Sequence, residues 1–178
     1  FHFPGVIDYP NHALRSDFLD VYLAAHCAFF LSTGSGIDSV ATVFRRPQLL
    51  VNFPLAFHPL IGNSNHLFIY QHFRDAETGA PLSLHELAER RAWQLFSTTE
   101  FERAGISLSR NSSQEIADAA TEMSMRLQGV WRESYEGEIR QERFWHAFRR
   151  IPEIHGQVPF RARIGSEFLA ANEHLYAK

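Results

Sequence analysis

The residues best placed for chemistry in this chain are small ones. Ser32, Thr33, Gly34, Ser35 and Gly36 follow the apolar run "AFFL" and precede "IDSVATVFRR", which reads as a helix. The first turn of a helix leaves backbone N–H groups unpaired, and the helix dipole favours negative charge at that end. Glycine lets a ligand approach the backbone closely, while Ser and Thr hydroxyls offer donors to phosphate oxygens. The stretch therefore reads as a seat for an anionic, phosphate-bearing group. A tight turn in which Ser35 merely caps the helix accounts for the same residues equally well.

Other chemistries lack their residues. There is no G-x-x-x-x-G-K-[ST], no G-x-G-x-x-G after the apolar run, and no G-x-S-x-G around Ser35. The chain has ten histidines, but "LHELAER" lacks the second histidine of a zinc-protease helix, and His58, His66, His72 and His85 fit no ligand spacing. No metal site is expected and no cofactor is firmly implied. The single cysteine, Cys27, has no partner for an intrachain disulfide and reads as a buried thiol. A formal charge of −3 gives no reason to expect a nucleic acid or an acidic membrane as partner. Arg149, Arg150, Arg161 and Arg163 read as a solvated face. No run reaches transmembrane length and no signal peptide is visible, so the expected compartment is the cytoplasm.

A core must hold the loop in place, and 178 residues with 45% hydrophobic and 21% charged side chains suffice for one domain spanning the whole chain. Residues 1 to 15 are rich in breakers and read as a loop along an exposed edge. "DFLDVYLAAHC" follows Ser16 as a helix, with Phe18, Val21, Tyr22 and Ala25 at helical spacing. "AFFLST" and "QLLVNF" read as buried strands flanking the helix that Pro47 stops. Together they predict a βαβ unit with two adjacent parallel strands. "HLFIY" and "GISLSRN" are further strands. "LSLHELAERRAWQLF" reads as a helix that Ser83 and Glu86 begin as a capping box. Ser112 and Glu115 open a second capping box, for the helix that Gly129 ends, and helices near 137–150 and 165–176 complete the chain. The predicted class is α/β, a Rossmann-like parallel sheet sandwiched by helices.

On these residues the chain resembles a bacterial glycosyltransferase family. The likeness runs through "RSDFLDVYLAAHCAFFLSTGSGIDSVATVFRRPQLLVNFP", "FIYQHFRDAETGAPLSLHELAER", "SRNSSQEIADAATEM" and "IGSEFLAANEHLY", in order and over nearly the whole length. It implies a GT-B architecture, two Rossmann-like domains facing across a cleft, of which this chain would be the C-terminal, donor-binding one. The abrupt start at Phe1 fits a fragment of a longer protein whose N-terminal domain is the missing partner. The loop is also similar to the D-S-G-G-[IL]-Q-E-E turn of nucleotide-sugar 2-epimerases, with Thr33 to Ile37 on the diphosphate-binding residues. Ser39 and Val40 stand where those enzymes carry two glutamates, one of which holds ribose.

The resemblance thus implies a nucleotide sugar as substrate, with Ser32, Thr33, Gly34, Ser35, Gly36 and Ile37 on its diphosphate. Asp38, Ser39, Asn52, Phe53 and Glu86 are candidate sugar or nucleoside contacts, with Phe53 as an apolar wall in the segment from Asn52 to Pro59. A capping role for Glu86 and a first-turn role for Asp38 are the simpler readings. The implied activity is sugar transfer to a glycan, lipid or protein acceptor, requiring the N-terminal domain. No catalytic residue is assigned. A nucleotide-sugar epimerase or hydrolase, and a non-catalytic nucleotide- or partner-binding module, are the alternatives.

Overall fold

A computed structural model describes residues 4–53, 64–151 and 162–177. Four parallel strands form the central sheet in the order β1 (Phe30–Ser32), β2 (Gln48–Phe53), β3 (His66–Tyr70) and β6 (Arg163–Ile164). Phe30 pairs with Gln48 and Ser32 with Leu50, so "AFFLS" and "QLLVNF" supply adjacent parallel strands as expected. Every residue of β3 is buried, as are all but Asn52 in β2. This is the burial that a parallel sheet covered on both faces requires.

Helix α2 (Asp38–Val43) connects β1 to β2 and lies on one face, where the Gln48 side chain donates to Thr42 Oγ1 at 2.8 Å and to the Asp38 carbonyl at 3.2 Å. Further along that face, Tyr70 stacks on Phe144 and Phe148 of α6 (Tyr135–Arg149). Ile69 points the other way, beneath Gly165 and Ala119 of α5 (Ser113–Leu127). Helices therefore cover both faces. The free edge of β6 is closed by Gln141, which accepts from the Ile164 N–H and donates to the Ile164 carbonyl. After β6, α7 (Ser166–Ala171) packs on both α5 and α6.

A second, antiparallel sheet pairs β4 (His72–Asp75) with β5 (Ile106–Ser109). Asp75 accepts from the N–H groups of Glu77 and Thr78 and from the Arg90 guanidinium at 2.8 Å. These partners hold its carboxyl well below the usual carboxylate range, the Thr78 N–H contributing most.

Several elements are shorter than their sequence pattern. The helix begun by the Ser83–Glu86 capping box ends as α3 at Leu84–Glu89, because Arg91 turns left-handed at φ +53°. A third capping box, Ser97 with Glu100, starts α4 (Thr98–Arg103). The last helix stops at Ala171, where Asn172 donates to the Phe168 carbonyl, and resumes only as a single 3-10 turn. In α1 (Asp17–His26) the buried positions are Ala24 and Ala25. Phe18, Val21 and Tyr22, whose helical spacing marked the element, are exposed. Residues 4–15 are exposed apart from the half-buried Tyr9, and Phe1 and Phe3 lie outside the described residues. Among the described residues no helix is long and apolar enough to cross a membrane.

Candidate functional site

The glycine–serine loop leaves β1 at its carboxyl end, the edge of a parallel sheet where ligands of such folds collect. Ser32 is buried and Thr33 to Ile37 are exposed. The described strands run in sequence order without a reversal, so no topological switch point singles out this spot. The backbone does. The N–H groups of Gly34, Ser35, Gly36 and Ile37 have no acceptor among the described residues. Gly34 has φ +87°, a conformation that strains any side chain. A Cβ there would also come within 3.7 Å of the Phe53 ring, whereas one at Gly36 would meet nothing within 4 Å.

Ser35 does not cap α2. The capping position falls on Ile37, without a side-chain bond, and the Ser35 hydroxyl donates to Asp38 Oδ1 at 3.3 Å while lying 3.4 Å from Ser32 Oγ. Asp38 is only 3% exposed, and its Oδ2 has no partner among the described residues. Its carboxyl thus faces the protein, in the first helical turn, and not an incoming sugar. Ser39 beside it is exposed.

Phe53 is fully buried, tilted against Phe68 and Tyr70, so it is no exposed wall for a base. It supports Gly34 from below. The rest of the segment proposed for nucleoside contact, 54–59, lies outside the described residues. Asn52 is left-handed at φ +51° and sits in the irregular pairing between Leu50 and Phe53. Its N–H donates to Asn111 Oδ1 at 2.6 Å, and the Asn111 N–H donates to Asn52 Oδ1 at 2.6 Å. Glu86 is not brought to this loop by any bond: its Oε2 accepts from the Ser83 N–H and hydroxyl, and it lies at the start of α3.

Two polar groupings were not legible beforehand. His72, one residue past the intervening Gln71 at the end of β3, places Nε2 3.0 Å and 3.1 Å from the two Glu115 carboxylate oxygens. Burial pushes Glu115 upward, but the Ser112 N–H and His72 outweigh it and leave the carboxyl below its usual value. On the β6 side, Glu122 and Glu133 bind Arg126, and Glu133 also takes Arg163, Ser166 and the Trp131 indole. Arg163, expected on a solvated face, is half-buried in this network. Cys27, expected buried, is half-buried and donates to the Ala24 carbonyl. Among the described residues no group of three or more His, Cys, Asp or Glu side chains is disposed to hold a metal ion.

Comparison of the chain with protein families, with curated proteins and with solved structures returns no match.

Proposed function

We propose that this chain binds the diphosphate of a nucleotide sugar on the Ser32–Ile37 loop and forms the donor half of a GT-B glycosyltransferase. One observation carries the reading: four successive N–H groups, Gly34 to Ile37, without an acceptor among the described residues, in an exposed turn at the carboxyl end of a parallel strand. Backbone donors of this kind suit anionic oxygens.

In sugar transfer the bond between the anomeric carbon and the diphosphate oxygen breaks, and charge accumulates on the leaving diphosphate. Fixed N–H donors aimed at that charge favour the transition state over the ground state. The loop amides would supply this stabilisation, and the acceptor and its proton-accepting group would belong to the partner domain. Calorimetric titration with UDP, GDP and CMP tests the reading. A diphosphate nucleotide should bind more tightly than CMP. Failure of both UDP and GDP to bind would overturn the assignment, and turnover of a nucleotide sugar without an acceptor would favour an epimerase or hydrolase.

A further inference from the structure

Exposed apolar side chains are unevenly spread over this molecule. Of the fifteen large hydrophobic residues in water among the described ones, eleven lie between Val6 and Phe44, the segment of α1, β1 and α2. Helix α1 is the centre of this group. It is apolar on nearly every side, a pattern that belongs to a covered helix, yet it buries only Ala24 and Ala25. Phe18, 72% exposed, stacks on Tyr22, and Tyr22 on His26, so a ladder of rings runs along its open side. Helix α2, packed beside it, leads into the exposed Val43 and Phe44. With about 200 Å² in a whole aromatic side chain, Phe18, Val21, Tyr22, Leu31, Val43 and Phe44 together show roughly 600 Å² to water. That is the upper end for a free monomer and the lower end of what each partner buries in a stable complex.

The two edges of the central sheet differ as well. At β6 the Gln141 side chain occupies both the N–H and the carbonyl of Ile164. At β1 the Phe30 N–H donates to the Pro47 carbonyl at 2.9 Å, so Phe30 and Ser32 turn their backbone groups to β2 and Leu31 turns its own outward. Neither Leu31 group has a partner among the described residues. The strand carries no charge or proline to guard an open edge. Charge is graded along the same surface. Asp8, Asp17 and Asp20 outnumber Arg15 around the start of α1. At its other end Arg46 lies close enough to Cys27 for its charge to act on the thiol, with the exposed Arg45 beside it.

We propose that the α1–β1 face is a self-association surface, on which a second copy of this chain docks about a two-fold axis beside Leu31. The axis sets the two β1 strands antiparallel. Leu31 and its counterpart then exchange both N–H···O=C bonds, and the four strands of each copy join into one sheet. The two α1 helices cover each other's rings. The same reversal brings the acidic start of α1 in one copy against Arg45 and Arg46 of the other, so the surface complements itself when turned through a half-rotation. This self-complementarity favours a second copy over an unrelated protein. The Gly34–Ile37 loops come to lie at opposite ends of the joined sheet, so the inference stands apart from the diphosphate reading.

The test is sedimentation equilibrium of the full chain, with thermal unfolding as the folding control. Wild type should show a closed monomer–dimer equilibrium with a dissociation constant of about 10 µM or tighter. Phe18→Lys changes an exposed site, so it should keep the wild-type unfolding temperature and weaken association about tenfold or more. Leu31→Pro deletes the outward N–H without touching the ladder to β2 and should weaken it similarly. If that variant does not fold, hydrogen exchange at the Leu31 amide of wild type replaces it and should slow as concentration rises. Asp17→Arg should weaken the dimer about threefold, and adding Arg45→Asp, which suits the left-handed backbone at φ 54°, should restore it. A wild type still monomeric at about 100 µM overturns the proposal and leaves the face to a different occupant. Assembly beyond the dimer overturns it too, as does a dimer indifferent to Phe18→Lys or with a Leu31 amide that exchanges at one rate at all concentrations. Failure of the charge swap to rescue Asp17→Arg overturns the antiparallel arrangement.

Discussion

Two buried carboxyl groups stand on opposite sides of the sheet, and the fold treats them differently. On the β6 side Glu122, 2% exposed, accepts from Arg126 and from the N–H and hydroxyl of Ser166. On the β1 side Asp38, 3% exposed, has one bond of 3.3 Å from Ser35 and an oxygen with no partner. Burial of a polar atom is tolerated when its hydrogen bonds are replaced and costly when they are not. The first carboxyl ties α5, α7 and the end of β6 together. The second sits behind a loop whose N–H groups are also unpaired. On the β6 side both oxygens of Glu122 are satisfied, although Nε of the neighbouring Arg163 has no partner among the described residues, whereas the carboxyl behind the proposed ligand loop is left half-paired.

Removing each carboxyl should therefore cost very different amounts. Glu122→Ala leaves the buried Ser166 N–H without its acceptor and Arg126 with Glu133 alone, and should destabilise by about 3 kcal/mol, the lower end of the range for breaking a buried ion pair. Asp38→Ala removes one long hydrogen bond and also the orphaned oxygen, so its cost should be about 1 kcal/mol or less. Urea unfolding of both variants measures the difference. Equal losses would show that Asp38 is held by more than its Ser35 bond.

The next effect is on binding and leaves the bracing side untouched. A valine at Gly36 meets open space in the protein itself, so Gly36→Val should fold with a near-wild-type unfolding temperature. Its side chain would stand over the loop amides, and nucleotide affinity should drop about a hundredfold or more, equivalent to about 2.8 kcal/mol. Calorimetry on the folded variant checks this, and wild-type affinity would remove the loop from consideration as the diphosphate seat.

Within the braced side, pH separates two neighbours. Burial pushes Glu122 above its ordinary value, and its partners do not bring it back. Burial acts on Glu133 too, but donation from Ser166, Trp131 and Arg126 and the charge of Arg163 leave it below 4.5. A lowered carboxyl contributes stability that is present above its unfolded value and lost as pH falls through the folded one; a raised carboxyl does the reverse. The deficit of Glu133→Gln against wild type should therefore shrink on acidification below about pH 4.5, while that of Glu122→Gln should grow toward acid. Thermal unfolding across that range checks it. Parallel trends would mean the two carboxyls titrate as one unit.

The contrast also explains what could be read in advance. Signals carried by neighbours in sequence were legible: the parallel pairing of "AFFLS" with "QLLVNF", the capping boxes at Ser83 and Ser112, and the stop at Gly129. The small-residue loop was legible for the same reason. The Asn52–Asn111 clamp, the Glu133 network and the partnership of β4 with β5 were not, because each joins residues about 30 or more positions apart. No local spacing encodes such contacts. Strand β6 has two residues, too few for any periodicity. Phe53 was misread as a wall because a pattern of apolar residues identifies a strand without telling which ring the loop above will cover.

The smallest effect concerns Ser35, whose hydroxyl the loop chemistry offers as a phosphate donor. In the structure that hydrogen is directed to Asp38 Oδ1, with Ser32 Oγ at 3.4 Å on the other side. To donate to a phosphate, Ser35 must abandon Asp38 and leave the carboxyl with no partner at all. The gain on one side is then offset by a loss on the other. Ser35→Ala should accordingly weaken nucleotide binding by about 1 kcal/mol or less, below the range for an independent hydrogen bond to a charged group. It should also lower stability slightly, through the lost bond to Asp38. Titration and thermal unfolding of the variant measure both quantities. If Ser35→Ala weakens binding as strongly as Gly36→Val, the hydroxyl and not the backbone holds the anion. Asp38 would then be the partner Ser35 leaves when the ligand arrives.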